Sequence, residues 1–141
     1  MAALQAARLT KERLTPKGRR FAVAAAVAIW QGAIVALKTA SGSTYAQGAT
    51  TATGLTVVGI AGGTADNRTG AAGALSVDVQ TGVFLLDIDG SDPVTLANIG
   101  ATVYATDDHT IAATNGSNTK SAVGTLFDID AASGGAWVKI S

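Results

Sequence analysis

"KGRRFAVAAAVAIWQGAIVALKTASG", Lys17 to Gly42, is the stretch whose reading decides the fold. A membrane span, an export signal and the opening strands of a β-domain all compete for it. Phe21–Leu37 holds 17 residues without a formal charge, at the short edge of what a bilayer requires. Gln31-Gly32 interrupts the run and much of it is alanine, which contributes little to insertion, so a span is disfavoured. Arg19-Arg20 before Phe21 and an alanine-rich run has the look of a twin-arginine export signal, with small residues following at Thr39–Gly42. Such signals carry a polar residue just before the pair, where this chain has Gly18. The β reading fits better. Val23, Ala25, Val27 and Ile29 alternate onto one face, Trp30-Gln31-Gly32 turns the chain, and Ala33–Leu37 supplies a second run. Being apolar almost throughout, the pair is expected to be buried on both faces, against the core and against a neighbouring subunit.

Working outward, the 141 residues suffice for one domain with a real core. There is no cysteine, which excludes disulfides, thiolate metal sites and a cysteine nucleophile. With 5% aromatic residues the core must be built from Val, Ile, Leu and Ala, and 17 glycines suit short strands joined by tight turns. Charged residues are 14% and mean hydropathy is +0.32, so some apolar surface is expected to be covered by other subunits.

The net charge of zero hides a split. Residues 1–20 carry Arg8, Lys11, Arg13, Lys17, Arg19 and Arg20 against Glu12 alone, whereas residues 21–141 carry four basic residues against nine acidic ones. A basic arm, 1–20, thus precedes an acidic body, 21–141. Ala2–Leu14 has helix-favouring composition with a weak stripe (Leu4, Ala7, Lys11, Leu14), and Thr15-Pro16-Lys17-Gly18 ends any helix. The arm is therefore a short helix or an extended strap, unable to fold alone. No aromatic residue interleaves its charges, so a protein surface is favoured over nucleic acid as its partner.

From Phe21 onward the signals are β. Val57–Ala61, Leu75–Val79, Val83–Ile88, Thr102–Thr106, Thr110–Ala113, Val123–Asp130 and Ala136–Ile140 are short β-branched or aromatic runs, punctuated by glycine-containing turns such as Gly62-Gly63 and Asn115-Gly116. Alternation is plainest in Leu75-Ser-Val77-Asp-Val79. Lys38–Thr53 reads as a long surface loop. The expectation is all-β: a small sandwich or barrel of short antiparallel strands. "LLDIDGS" (Leu85–Ser91) echoes "LFDIDAAS" (Leu126–Ser133), which two hairpins with the same ending chemistry would explain.

Chemistry is sparse. His109, the one histidine, lies in "DDHT" beside Asp107 and Asp108; adjacent aspartates are expected to point apart, so a polar hairpin tip outranks a metal site. Asp87, Asp89 and Asp92 in "DIDGSD" lack the glycine position and closing glutamate of a calcium loop, and turn capping is favoured. "GIAGG" (Gly59–Gly63) and "GAAG" (Gly70–Gly73) carry neither a P-loop lysine nor a dinucleotide fingerprint, and no nucleophile elbow exists. Asn67-Arg-Thr69 and Asn115-Gly-Ser117 match glycosylation acceptors at the level of chance. Nothing here points to an enzyme, a cofactor or a metal. Trp30 and Trp137 are expected in the core first and at an interface second, with Trp137 and Lys139 on one face of the last strand and Val138 and Ile140 on the other.

The ordered pattern resembles small phage-encoded head decoration, or capsid cement, proteins. In that family a "Gly-x-Val/Leu-Val-Ala-Leu" strand precedes a "Val-Gly-Ile/Val-Ala" strand, then a Gly-Ala-rich linker into "V.V..GVF", an "IG..VY..DD.T" hairpin and a closing "G.V..VD....WV.I". Here these fall on Gly32–Leu37, Val58–Ala61, Gly70–Phe84, Ile99–Thr110 and Gly124–Ile140, so the match covers about residues 30–141. The resemblance implies a virion protein on the outside of an icosahedral head, assembled in the host cytoplasm, often a homotrimer. It would bridge major capsid protein subunits, without direct nucleic-acid or membrane contact. Arm residues Arg8, Lys11, Arg13, Lys17, Arg19 and Arg20, with Trp30, are the candidate interface. The first 20 residues fall outside the family pattern. An exported β adhesion module and a phage tail β-protein are the alternatives.

Overall fold

The computed structural model describes residues 18–141. Twelve strands occupy this body: β1 (Gly18–Ala22), β2 (Val27–Ile29), β3 (Ile34–Ala40), β4 (Ser43–Gly48), β5 (Thr56–Ala61), β6 (Ala65–Asn67), β7 (Ser76–Gln80), β8 (Gly82–Ile88), β9 (Thr102–Ala105), β10 (Thr110–Ala112), β11 (Ala122–Asp130) and β12 (Gly135–Ile140). A single 3-10 turn, Leu96–Asn98, is the only helical element among the described residues. The protein is all-β, and each of the seven expected runs falls on a strand, β5 and β7 to β12.

The strands form an open five-stranded sheet, β1-β7-β5-β3-β4, a closed barrel, β10-β8-β12-β11-β9, and a ribbon, β2-β6. Every pairing between strands is antiparallel except β8–β10, where Thr110 and Ile111 run parallel beside Asp87 and Ile88, and one isolated parallel bridge joins Val23 to Ala46 of β4. An odd number of alternating strands cannot close a ring without one parallel pair, so the barrel's five strands dictate this exception.

Two cores result, and β3 serves both. Ile34 and Ala36 pack with Leu86, Val103, Ile111, Leu126, Val138 and Ile140 in the barrel core. Val35, pointing the other way, packs with Val23, Ile29, Val58, Val77 and Val79. Each fully buried Ile or Val contributes roughly 1.5–3 kcal/mol. The opening stretch is therefore buried on both faces at β3, as its composition requires. The second face, however, is covered by this chain's own β2, β6 and β7 residues, where a neighbouring subunit was expected.

The stretch is also not one alternating strand. Ala26 adopts φ +60°, breaking the run between β1 and β2 and leaving Ala25 exposed. Asn67, only 2% exposed, holds this break: its amide nitrogen donates to the carbonyls of Ala24 and Ala71, each at 2.9 Å. That amide is the atom a glycan would need, so the glycosylation match at Asn67 is structural coincidence. Trp30–Ala33 is the expected turn, closed by Ala33 N–H to Trp30 O at 3.0 Å with Gly32 at φ +90°.

Of Lys38–Thr53, expected as a loop, only Ala49–Thr53 lies outside the β3–β4 hairpin. β3 runs on to Ala40 and returns as β4 through a two-residue turn, Ser41 (φ +53°) and Gly42 (φ +78°), the conformation that matches strand twist in hairpins. Its Thr, Ser, Tyr and Gln side chains are polar because this hairpin end is exposed, and Thr39 and Thr44 share a 2.6 Å hydrogen bond across it. The arm boundary also moves. Gly18, Arg19 and Arg20 belong to β1, paired with Gln80, Val79 and Asp78 of β7.

Candidate docking surface

The β9–β10 turn carries the titratable cluster. Asp107 Oδ1 accepts the backbone N–H of His109 at 2.9 Å, folding the turn back on itself. As a result His109 Nδ1 lies 2.8 Å from Asp108 Oδ1 and 3.1 Å from Asp107 Oδ1. The expected divergence of the two carboxylates is thus overturned: one ligand atom from each residue lies within 4.8 Å of the others. The hydrogen bond to Asp108, and then the negative charges of Asp107, Asp108 and Asp87, hold the imidazole pKa above its ordinary value. The same turn joins the sheet to the barrel, because Asp108 O accepts Ile34 N–H at 2.7 Å and His109 O accepts Asp87 N–H at 2.9 Å. Its hydrogen bonds make it a structural joint at the surface.

Two of the "DIDGSD" carboxylates, Asp89 and Asp92, cap loops, while Asp87 lies exposed on β8. Asp89 accepts Ser91 N–H and Thr106 Oγ1–H, each at 2.8 Å, and faces Lys120 Nζ at 3.4 Å, which together hold its pKa below the ordinary value. Asp92 accepts the N–H and Oγ1–H of Thr114. In the echoed segment, Asp130 accepts Ala132 N–H and Ser133 Oγ–H. The shared ending chemistry holds, but only Asp130 closes a hairpin; Asp89 opens the long connection from β8 to β9.

The candidate interface residues divide. Arg8, Lys11, Arg13 and Lys17 lie outside the described residues. Arg19 stacks over Phe21 at 5.2 Å and donates to Val58 O. Arg20 pairs with Asp78 at 2.8 Å, holding that carboxyl below its ordinary pKa. Both arginines thus have partners on their own chain, along an edge strand where charge discourages stray pairing. Trp30 is half exposed, contradicting a core position, and is covered on one side by Arg68 at 5.5 Å. Arg68 is fixed in turn by Asp66, whose pKa is held down to about 2 chiefly by the hydrogen bonds from that guanidinium.

Trp137 is also outside the core. Val138 and Ile140 fill the barrel, while Trp137 and Lys139 face outward, as the alternation requires. Around Trp137 lies a surface that residue-by-residue reading missed. Leu85 stands directly opposite it on β8, with Val83 two residues along, and both are exposed. On the other flank a bulge at Phe127 sets Phe127 and Asp128 together against Trp137. Phe127 is 60% exposed. Leu85 also lies over Gly135, its Cδ1 3.0 Å from where a Cβ would sit. The signal was the unbroken "VFLL" at Val83–Leu86: on a barrel strand it means that both faces are apolar, so the outer one is available for contact. No family model, curated protein or solved structure matches the chain.

Proposed function

We propose that this chain is a phage head decoration, or cement, protein that binds the outside of an icosahedral shell as a homotrimer and ties major capsid protein subunits together. The observation that carries this reading is the sequence pattern from Gly32 to Ile140, which resembles that of decoration proteins; its segments lie on β3, β5, β7–β8, β9–β10 and β11–β12. Physical features are in keeping with it. The body is a doubly cored β-unit with an apolar outer face centred on Trp137, and it is acidic where the preceding segment is basic. Repetition by symmetry turns many weak contacts of this kind into firm attachment. The basic segment straps onto capsid protein or onto an adjacent decoration subunit, adding surface at an ordering cost. Co-sedimentation with expanded shells lacking the protein tests the reading. Saturable uptake at a fixed ratio supports it, and protein left wholly in the supernatant refutes it.

A further inference from the structure

We infer that the outer face of β8, β12 and β11 is the receptor for residues 1–17 of the same chain when the protein is free in solution. The inference does not rest on the capsid reading.

Four large apolar side chains from three adjacent strands make the face: Val83 and Leu85 on β8, Trp137 on β12 and Phe127 on β11, between 37% and 60% exposed. Soluble chains seldom leave a continuous group of this kind uncovered. Two carboxylates and one lysine border it; Lys139, opposite Val83 on β12, faces the same way as Trp137. Asp87 continues the outward row of β8 beyond Leu85, and Asp128 sits opposite Trp137. The face is therefore mainly apolar with a small excess of negative charge, and suits a partner that is apolar at intervals and carries net positive charge.

The first seventeen residues have that character. Leu4, Ala7 and Leu14 recur at helical spacing on a face they share with Lys11, and Arg8, Lys11, Arg13 and Lys17 outnumber Glu12. They are also attached at the right place. The described chain begins at Gly18, opposite Gln80 at the end of β7. Only Thr81 separates Gln80 from β8, whose outward row starts at Val83. Gly18 and Gln80–Phe84 together line a surface hollow of about 380 Å³ at this point. The face extends about 13 Å along β8 from Val83 to Asp87 and about 10 Å across three strands. Seventeen residues reach up to about 56 Å when extended, ample to cross it. Attachment, length, apolar spacing and charge all agree on this occupant. On an assembled shell the same segment would exchange onto the same face of an adjacent copy, a swap that needs no new surface.

The absence of native cysteine makes the test direct. A benzophenone is attached to Ala7→Cys in the full chain, photolysed at a concentration where the protein is monomeric, and the adducts are mapped by mass spectrometry. Intrachain adducts at Val83–Leu85, Phe127 or Trp137 are expected; adducts concentrated elsewhere, or formed only between chains, overturn the inference. In a Trp30→Phe background Trp137 is the sole tryptophan. Adding Leu4→Asp and Leu14→Asp is expected to raise its acrylamide quenching constant at least twofold, with cooperative unfolding retained. An unchanged constant also overturns the inference.

Discussion

Gly59 shows how one residue sets a close approach. It lies on β5 at φ +149°, and a Cβ there would strike the carbonyl oxygen of Gln80 on β7. Gly59→Ala is expected to cost about 2–4 kcal/mol, combining backbone strain with displacement of a strand, and urea unfolding measures it. His109 gives a pH-dependent prediction. Its folded pKa is raised, so its stabilising contribution is fully present below its ordinary value near 6.5 and is lost as pH rises through the folded value. The stability advantage of the natural chain over His109→Gln is therefore expected in acid and should vanish at alkaline pH. NMR titration should also show Asp108→Asn moving the His109 pKa down. The sequence identified the turn at 107–109 but not the convergence of its side chains. The back-fold depends on one side-chain-to-backbone hydrogen bond, which adjacency alone does not reveal.

Strand identity was legible wherever β-branched residues cluster, as in β5 and β8–β12. β4 was hidden because a strand end facing water is written in Ser, Thr and Gln, the residues that also write loops. Its turn at Ser41-Gly42 has the dihedrals that favour Asn-Gly, so Ser41→Asn is expected to stabilise the protein by about 0.5 kcal/mol in thermal or urea unfolding. Equally hidden was the bulge at Phe127, a one-residue event that turns an aromatic ring to the outside. Neither tryptophan could be placed from residue type, since Trp30 is set by the turn after β2 and Trp137 by which face of β12 turns outward. Barrel closure depends on which distant strands meet, and local pattern does not carry that.

At the scale of the whole molecule, two cores share β3, and β1 seals the flank of the second by pairing Phe21 with Val77. Removing residues 1–17 is expected to leave the unfolding transition of the body cooperative. Removing residues 1–22 strips the cover from Val77 and Val79, now 2% and 1% exposed, and should cost about 3 kcal/mol or more. The charge split assigned Arg19 and Arg20 to an arm, but both belong to β1 and pair along β7 despite their charge. The central claim, that this body and its basic segment fasten a phage shell, is met most directly by calorimetry of expanded shells lacking the protein. With the full chain added to saturation, the shell's melting transition should rise and then plateau at a fixed ratio of chain to capsid protein. A melting transition unmoved at any ratio would contradict the account.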